Sequence, residues 1–242
     1  DTIDLAGAKE LGVWVANVPD YGVEEVASHA YAMALALIRH LAFYDRSVRS
    51  GEWHFLSPGE LRRPSTLTFG IVGLGRIGRA VAAQARSLFG EVVGFDPFLT
   101  DDSWPDGVAR LGLEEVVGRS QVVSLHLPLT ADTHYLFNKK MIDLMPHGSY
   151  LINTSRGPLI DPVALHAALE EGRLSGAALD VLVQEPPHPE NPLLNHPRTL
   201  LTPHAAFYST EAATELRCKA ARNILDWASK GRPTYVVVEG EG

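Results

Sequence analysis

The chain has 242 residues, length for one or two domains with a sizeable core, and its 45% hydrophobic and 21% charged residues are ordinary for a globular protein. A formal net charge of −8 argues against a general surface for nucleic-acid phosphates, and a single cysteine, Cys218, excludes an internal disulfide and suits a reducing cytoplasm. No apolar run reaches bilayer-spanning length, and Asp1-Thr2-Ile3-Asp4 has neither an initiator Met nor a signal-peptide pattern, so a cytoplasmic chain without nucleic-acid or membrane partners is expected, with residue 1 not its biological start.

In chain order, the pattern predicts a short helix over 3–11 and a strand over 13–18 ended by Pro19. A long helix over 24–48 follows, with Val26, Ala30, Met33, Leu37 and Leu41 at helical spacing. Residues 51–65 carry Gly, Pro and Arg without periodicity and read as a loop. From Thr68 strands and helices alternate. Strands are predicted over 69–72, 92–95, 122–125, 149–152, 176–179 and 199–201, and helices over 76–88, 113–117, 140–144 and 162–171. A closing helix over 209–230 carries Ala213, Leu216, Ala220, Ile224 and Trp227 on one stripe, and 234–238 reads as a last strand. This alternation predicts an α/β fold with a doubly wound parallel sheet.

The most informative stretch is the apolar run into Gly73-Leu74-Gly75-Arg76-Ile77-Gly78, followed by a helix, a second apolar run and Asp96. Gly73 permits a tight turn, Gly75 lets a pyrophosphate approach the backbone, and Gly78 lets helix and strand pack closely. The N–H groups at the helix start then face the phosphates. Asp96 ends the second strand, where a carboxylate accepts hydrogen bonds from ribose hydroxyls and repels a 2′-phosphate. Residues 97–102 hold no Arg or Lys, which favours NAD over NADP. Position alone also allows Asp96 to be a strand-end capping acid.

Three later segments end strands with polar groups: Asn153-Thr154-Ser155-Arg156-Gly157, Asp180 with Glu185-Pro186, and Thr202-Pro203-His204. Ligands of open parallel sheets bind at the carboxyl ends of strands, so these segments converge on the cofactor crevice. An Arg can hold a carboxylate by two parallel hydrogen bonds, a His can exchange an alcohol proton near neutral pH, and an acid can fix its tautomer. Taken singly, Arg156 also suits a surface ion pair and Glu185 a solvated loop. His126, at a strand end, reads as structural or cofactor-lining, and His54, His188 and His196 as loop or surface residues. No metal site is expected.

These motifs, with Ser124-Leu125-His126-Leu127-Pro128-Leu129-Thr130 and Ala178-Leu179-Asp180-Val181, resemble the D-isomer-specific 2-hydroxyacid dehydrogenase family over essentially the whole chain. The resemblance implies a Rossmann cofactor domain over 21–208. Residues 1–20 would then be the remnant, and 209–242 the returning helix and strand, of a discontinuous flavodoxin-like substrate domain. It implies that Arg156 orients the substrate, Glu185 supports the histidine and His204 is the acid/base. Arg76 and Ile77 would touch the pyrophosphate, and Leu127, Pro128 and Thr133 the adenosine side. Thr154, Ser155, Asp180 and Ala206 would line the nicotinamide half. It further implies NAD, a small 2-oxoacid or 2-hydroxyacid substrate and a homodimer. Ala205-Ala206-Phe207-Tyr208-Ser209 resembles the C-terminal binding protein branch, corepressors that keep this fold and bind NAD(H), although Phe207 stands where that branch usually has Trp. A corepressor-like module and an incomplete, non-catalytic chain therefore stand beside the enzyme as readings. Leu5, Val13, Val15 and 235–238 are expected to lack packing partners.

Overall fold

The computed structural model describes residues 3–241. Its elements are α1 (Leu5–Glu10), β1 (Val15–Ala16), α2 (Val23–Ile38), α3 (Leu41–Arg49), β2 (Thr68–Val72), α4 (Arg76–Ala85), β3 (Glu91–Phe95), β4 (Ala109–Arg110), α5 (Leu113–Arg119), β5 (Val122–Leu125), α6 (Lys139–Leu144), β6 (Ser149–Asn153), α7 (Pro162–Glu170), β7 (Leu174–Leu179), β8 (Thr199–Leu201), α8 (Thr210–Lys230) and β9 (Val236–Val238). The chain divides into two compact units, Val26–Ala206 and Asp1–Glu25 with Phe207–Gly242.

In the larger unit, β2 to β8 form one parallel sheet in the order β4-β3-β2-β5-β6-β7-β8. Its strands are apolar on both faces, as a sheet covered by helices on both sides requires. Alternate residues of β2 serve opposite sides. Val72 joins a cluster with Val116, Met141 and Leu165 from α5, α6 and α7, whereas Phe69 and Ile71 join Met33 of α2 and Val81 of α4. Strand order reverses between β2 and β5, which opens a crevice at the carboxyl ends of those strands.

The long helix predicted over 24–48 is in fact two, α2 and α3, bent by 58°. His40 occupies the left-handed region (φ 51°), where its N–H donates to the Leu37 carbonyl, and its ring reaches the Tyr150 hydroxyl at 3.3 Å. No Gly or Pro marks this break; a partner 110 positions away holds it. The two-residue strand β4, paired to Val93 and Gly94 of β3, was also not predicted, being too short for a period to register. No single helix among the described residues is long and apolar enough to cross a membrane. Helices α2 and α3 reach that length and composition only as a bent pair, and α2 packs Ala27, Ala30, Met33 and Ala34 into the core.

The smaller unit holds α1, β1, α8 and β9. The Asp4 carboxylate caps α1 by accepting from Gly7 N. β1 pairs antiparallel with β9, and Ala8, Val15 and Val238 form a small core, so Val15 and the final strand do not lack partners as expected. Leu5 and Val13 are exposed. α8 starts at the Ser209 cap and ends at Gly231 (φ 74°). Its apolar stripe is not its buried face: Ala212, Asn223 and Asp226 are buried, whereas Ile224 and Trp227 are exposed. Hydrogen bonds decide the orientation. Asn223 donates to Asn17 O and accepts from Tyr235 N, and Asp226 accepts from Thr234 and Lys230.

Candidate active site

The site assembles at the carboxyl edge of the large sheet. After β2 the chain turns through Gly73 (φ 94°), where a Cβ would collide with the His126 carbonyl. A Cβ on Gly78 would collide with the Gly73 carbonyl, so helix and loop meet backbone to backbone. Gly75, the N-cap of α4, has nothing within 4 Å of its absent Cβ. The loop is thus closed toward the protein and open at Gly75. That is the shape a pyrophosphate requires against the N–H groups of a helix start, and the residues present fit a dinucleotide. Arg76, exposed, and Ile77, half-buried, open α4.

Asp96, half-buried after β3, accepts from Leu74 N (2.8 Å) with Oδ2 and from Phe98 N (2.9 Å) with Oδ1. It is a turn-capping acid that also ties the glycine loop to β3. A carboxylate offers about four lone-pair sites, so capacity remains for ribose hydroxyls. Arg110, from β4, reaches this same loop and was missed by the sequence reading. Its guanidinium is committed to Asp101, to Leu99 O (2.8 Å) and to the Trp104 ring face (4.7 Å).

Next to the glycine loop lies His126, whose Nε2 is 2.9 Å from Ser124 Oγ and whose Nδ1 is buried without a hydrogen-bond partner. Burial pulls its pKa down to about 4, so the ring is neutral near pH 7. Its backbone N–H donates to Val72 O (2.8 Å) and its carbonyl lies where a Cβ on Gly73 would sit, which makes a structural role sufficient. Leu127 is half-buried and Pro128 exposed. Thr133 clamps their turn, its hydroxyl donating to Pro128 O (2.7 Å) and accepting from Thr130 N (2.8 Å).

At the end of β6 the buried Asn153 organises its neighbours, Nδ2 donating to Arg156 O (2.8 Å) and Oδ1 accepting from Ser155 N (3.0 Å). The Ser155 hydroxyl donates to Leu125 O (2.8 Å), and the Thr154 hydroxyl is buried without a partner. Arg156 is exposed, with Nη1 donating to Ser155 O (2.7 Å). Gly157 passes so close to the Leu182–Val183 backbone that any side chain would collide.

After β7, the Asp180 carboxylate is 1% exposed and accepts three hydrogen bonds. Oδ1 accepts from Thr202 Oγ1 (2.5 Å) and Ala205 N (2.9 Å), and Oδ2 from Ala206 N (2.9 Å). Its carbonyl accepts the His204 N–H at 2.7 Å, and His204 stands at φ 53°, a conformation uncommon outside glycine. His204 Nδ1 lies 2.6 Å from Glu185 Oε2, while Glu185 Oε1 accepts from Leu182 N (2.9 Å). An ionised carboxylate only accepts, so Nδ1 carries the proton and Nε2 is the nitrogen that gains or loses one.

The structure therefore brings Glu185 and His204 into direct contact and sets Arg156 and Asp180 at the ends of the adjoining strands β6 and β7. The glycine loop and Asp96 lie at β2 and β3 along the same edge. A second missed residue, His29, comes from α2 to 3.0 Å from Thr202 Oγ1. Its one sequence signal is a polar ring between Val26 and Met33 on the apolar face. Among the described residues no group of three or more His, Cys, Asp or Glu is arranged to hold a metal.

Fold and site together are those of an α/β domain whose glycine loop has the shape a dinucleotide requires. A family model described as D-isomer specific 2-hydroxyacid dehydrogenase, NAD binding domain, matches residues 31–206, and the chain belongs to that family. It is 40% identical over 241 residues to a D-3-phosphoglycerate dehydrogenase of Bacillus subtilis (strain 168), covering 98% of this chain and 45% of that enzyme. It is 36% identical over 229 residues to a glyoxylate reductase of Korarchaeum cryptofilum, covering 93% of this chain and 69% of that protein. A D-lactate dehydrogenase of Aquifex aeolicus, solved with NAD and lactic acid, superposes with a TM-score of 0.91 at 30% identity. That match covers 100% of this chain and 78% of the other. The chain thus spans less than half the length of the first of these relatives.

Proposed function

We propose that this chain is the cofactor-binding part of an NAD-dependent oxidoreductase that interconverts a small 2-oxoacid and a D-2-hydroxyacid. The observation that carries the reading is the Glu185–His204 pair, 2.6 Å apart on the sheet edge that also bears the open glycine loop and Arg156. The kinship with glyoxylate reductase, D-lactate dehydrogenase and D-3-phosphoglycerate dehydrogenase supports it.

Gly73, Gly75, Arg76, Ile77 and Gly78 would hold the pyrophosphate, Asp96 the adenosine ribose, and Leu127, Pro128 and Thr133 the adenosine side. Thr154, Ser155, Asp180 and Ala206 would line the nicotinamide half. When bound, NAD(H) supplies or accepts the hydride. Arg156 pairs with the substrate carboxylate by two parallel hydrogen bonds and so orients the carbon to be reduced. His204 gives a proton from Nε2 to the nascent alkoxide in reduction and takes it back in oxidation. Glu185 accepts from Nδ1 and fixes the tautomer. Arg110, which reaches the loop after Asp96, is already paired with Asp101 and Leu99 O rather than left to welcome a 2′-phosphate, which supports NAD over NADP.

Residues 21–208 would form the cofactor domain, and 1–20 with 209–242 would belong to a substrate domain. The whole protein is read as a cytoplasmic homodimer without nucleic-acid or membrane partners. The reading is tested with NADH and paired substrates on the complete protein. Glyoxylate and hydroxypyruvate are expected to be reduced, and their methyl esters to lose about a hundredfold in kcat/KM for want of the arginine–carboxylate pair. Equal rates on acids and esters would remove Arg156 from its role.

A further inference from the structure

We propose that His29 is a positioning residue for the acid/base: through Thr202 it holds Asp180, and Asp180 holds the backbone that presents His204. The proposal rests on the reading of His204 given above.

The direction of each hydrogen bond follows from donor and acceptor capacity. Asp180 is an acceptor, so the single Thr202 hydroxyl proton is donated to Oδ1, at 2.5 Å. With that proton committed, Thr202 Oγ1 can only accept from His29 Nε2, at 3.0 Å, so Nε2 carries hydrogen. The same His29 Nε2 stands 3.8 Å from Asp180 Oδ1. Asp180 also accepts from Ala205 N and Ala206 N, the two amides that follow His204. A residue at φ 53° persists only where its surroundings over-determine it, and here bonds on both sides do so: Asp180 O grips the His204 N–H, and the Asp180 carboxylate grips the next two. Without the Thr202 hydroxyl the 1%-exposed carboxylate would be left partly unpaired, and without His29 that hydroxyl would lose the bond that orients it; either change lets the carboxylate shift and move the loop with it. His29 is 28% exposed and lies 173 positions before Thr202, on a different element from any residue of the acid/base set, so its effect on His204 is indirect.

The test compares His29→Ala, His29→Gln and Thr202→Val. Gln keeps an N–H donor near the place of Nε2; Ala and Val do not. Hydrogen exchange at the Ala205 and Ala206 amides, which needs neither cofactor nor turnover, is expected to accelerate about tenfold in His29→Ala and Thr202→Val and to stay near wild type in His29→Gln. In 2-oxoacid reduction by the complete protein, the first two variants are expected to lose about tenfold in kcat with KM little changed, again with rescue by Gln. The His29→Ala/Thr202→Val double variant is expected to lose no more than either single, because one chain of bonds is cut. Unchanged exchange at Ala205 and Ala206 in a folded His29→Ala or Thr202→Val protein would overturn the proposal. So would a Gln variant as impaired as Ala. Accelerated exchange in His29→Ala and Thr202→Val, with a wild type that never turns over 2-oxoacids, would sustain the clamp and reject the acid/base reading, so the two failures are distinguishable.

Discussion

At the scale of single residues, one side chain often serves fold and ligand together. Asp96 holds Leu74 N and Phe98 N with different oxygens, so in its proposed role its removal would affect the loop as well as ribose binding. Asp96→Ala is expected to weaken NADH binding about tenfold and to reduce the preference for NADH over NADPH, because both a hydrogen-bond acceptor and a repulsive charge are lost. Fluorescence titration with both cofactors measures this, and an unchanged preference would remove Asp96 from cofactor choice. The residues of the site that were legible in the sequence, Gly73, Asp96, Arg156, Glu185 and His204, all sit at or just after strand ends, where chemistry-bearing side chains interrupt apolar runs. Arg110 and His29 were not legible. Each matters only through a partner that the fold supplies, Leu99 and Asp101 for one and Thr202 for the other.

At the scale of elements, the β2–α4 unit was readable because local chemistry and tertiary packing agree: an apolar strand, glycines where backbone meets backbone, and a helix. Two of its three motif glycines, Gly75 and Gly78, separate folding from binding. Gly75→Ala places a methyl group in open space and is expected to leave the Tm within about 2 °C while weakening NADH binding about tenfold, since the methyl occupies the approach to the phosphates. Gly78→Ala drives a methyl group into the Gly73 carbonyl and is expected to lower the Tm by about 5 °C or more, whatever the ligand. Thermal melts with and without NADH distinguish the two. Where tertiary contacts overrule local pattern, the sequence was a poorer guide. The α2–α3 break depends on His40 meeting Tyr150, and α8 turns its polar anchors Asn223 and Asp226 inward against the pull of its apolar stripe.

At the scale of the whole molecule, buried imidazoles make stability depend on pH. His126 titrates at about 4 in the fold against about 6.5 in an unfolded chain. Between those values the unfolded state binds more protons, so stability falls as the pH drops from about 6.5 toward 4 and is fully retained above that window. Burial also lowers His40 and His196, with the same sign. Denaturant unfolding is expected to cost roughly 2 kcal/mol less at pH 5 than at pH 7.5 through His126 alone, and His126→Asn is expected to flatten much of that difference. An equal pH dependence in the variant would show that His126 is not buried and neutral in solution.

The proposed chemistry joins these scales at one nitrogen, His204 Nε2, on a ring that Glu185 holds through Nδ1 and whose backbone N–H donates to Asp180 O. The decisive measurement is the rate of NADH oxidation by glyoxylate on the complete protein, wild type against His204→Ala, with NADH affinity recorded in parallel. Turnover in the wild type, a loss of about a thousandfold or more in kcat for the variant, and an NADH dissociation constant within a few-fold of wild type are expected. A variant that turns over at the wild-type rate would contradict the assignment of His204 as the acid/base.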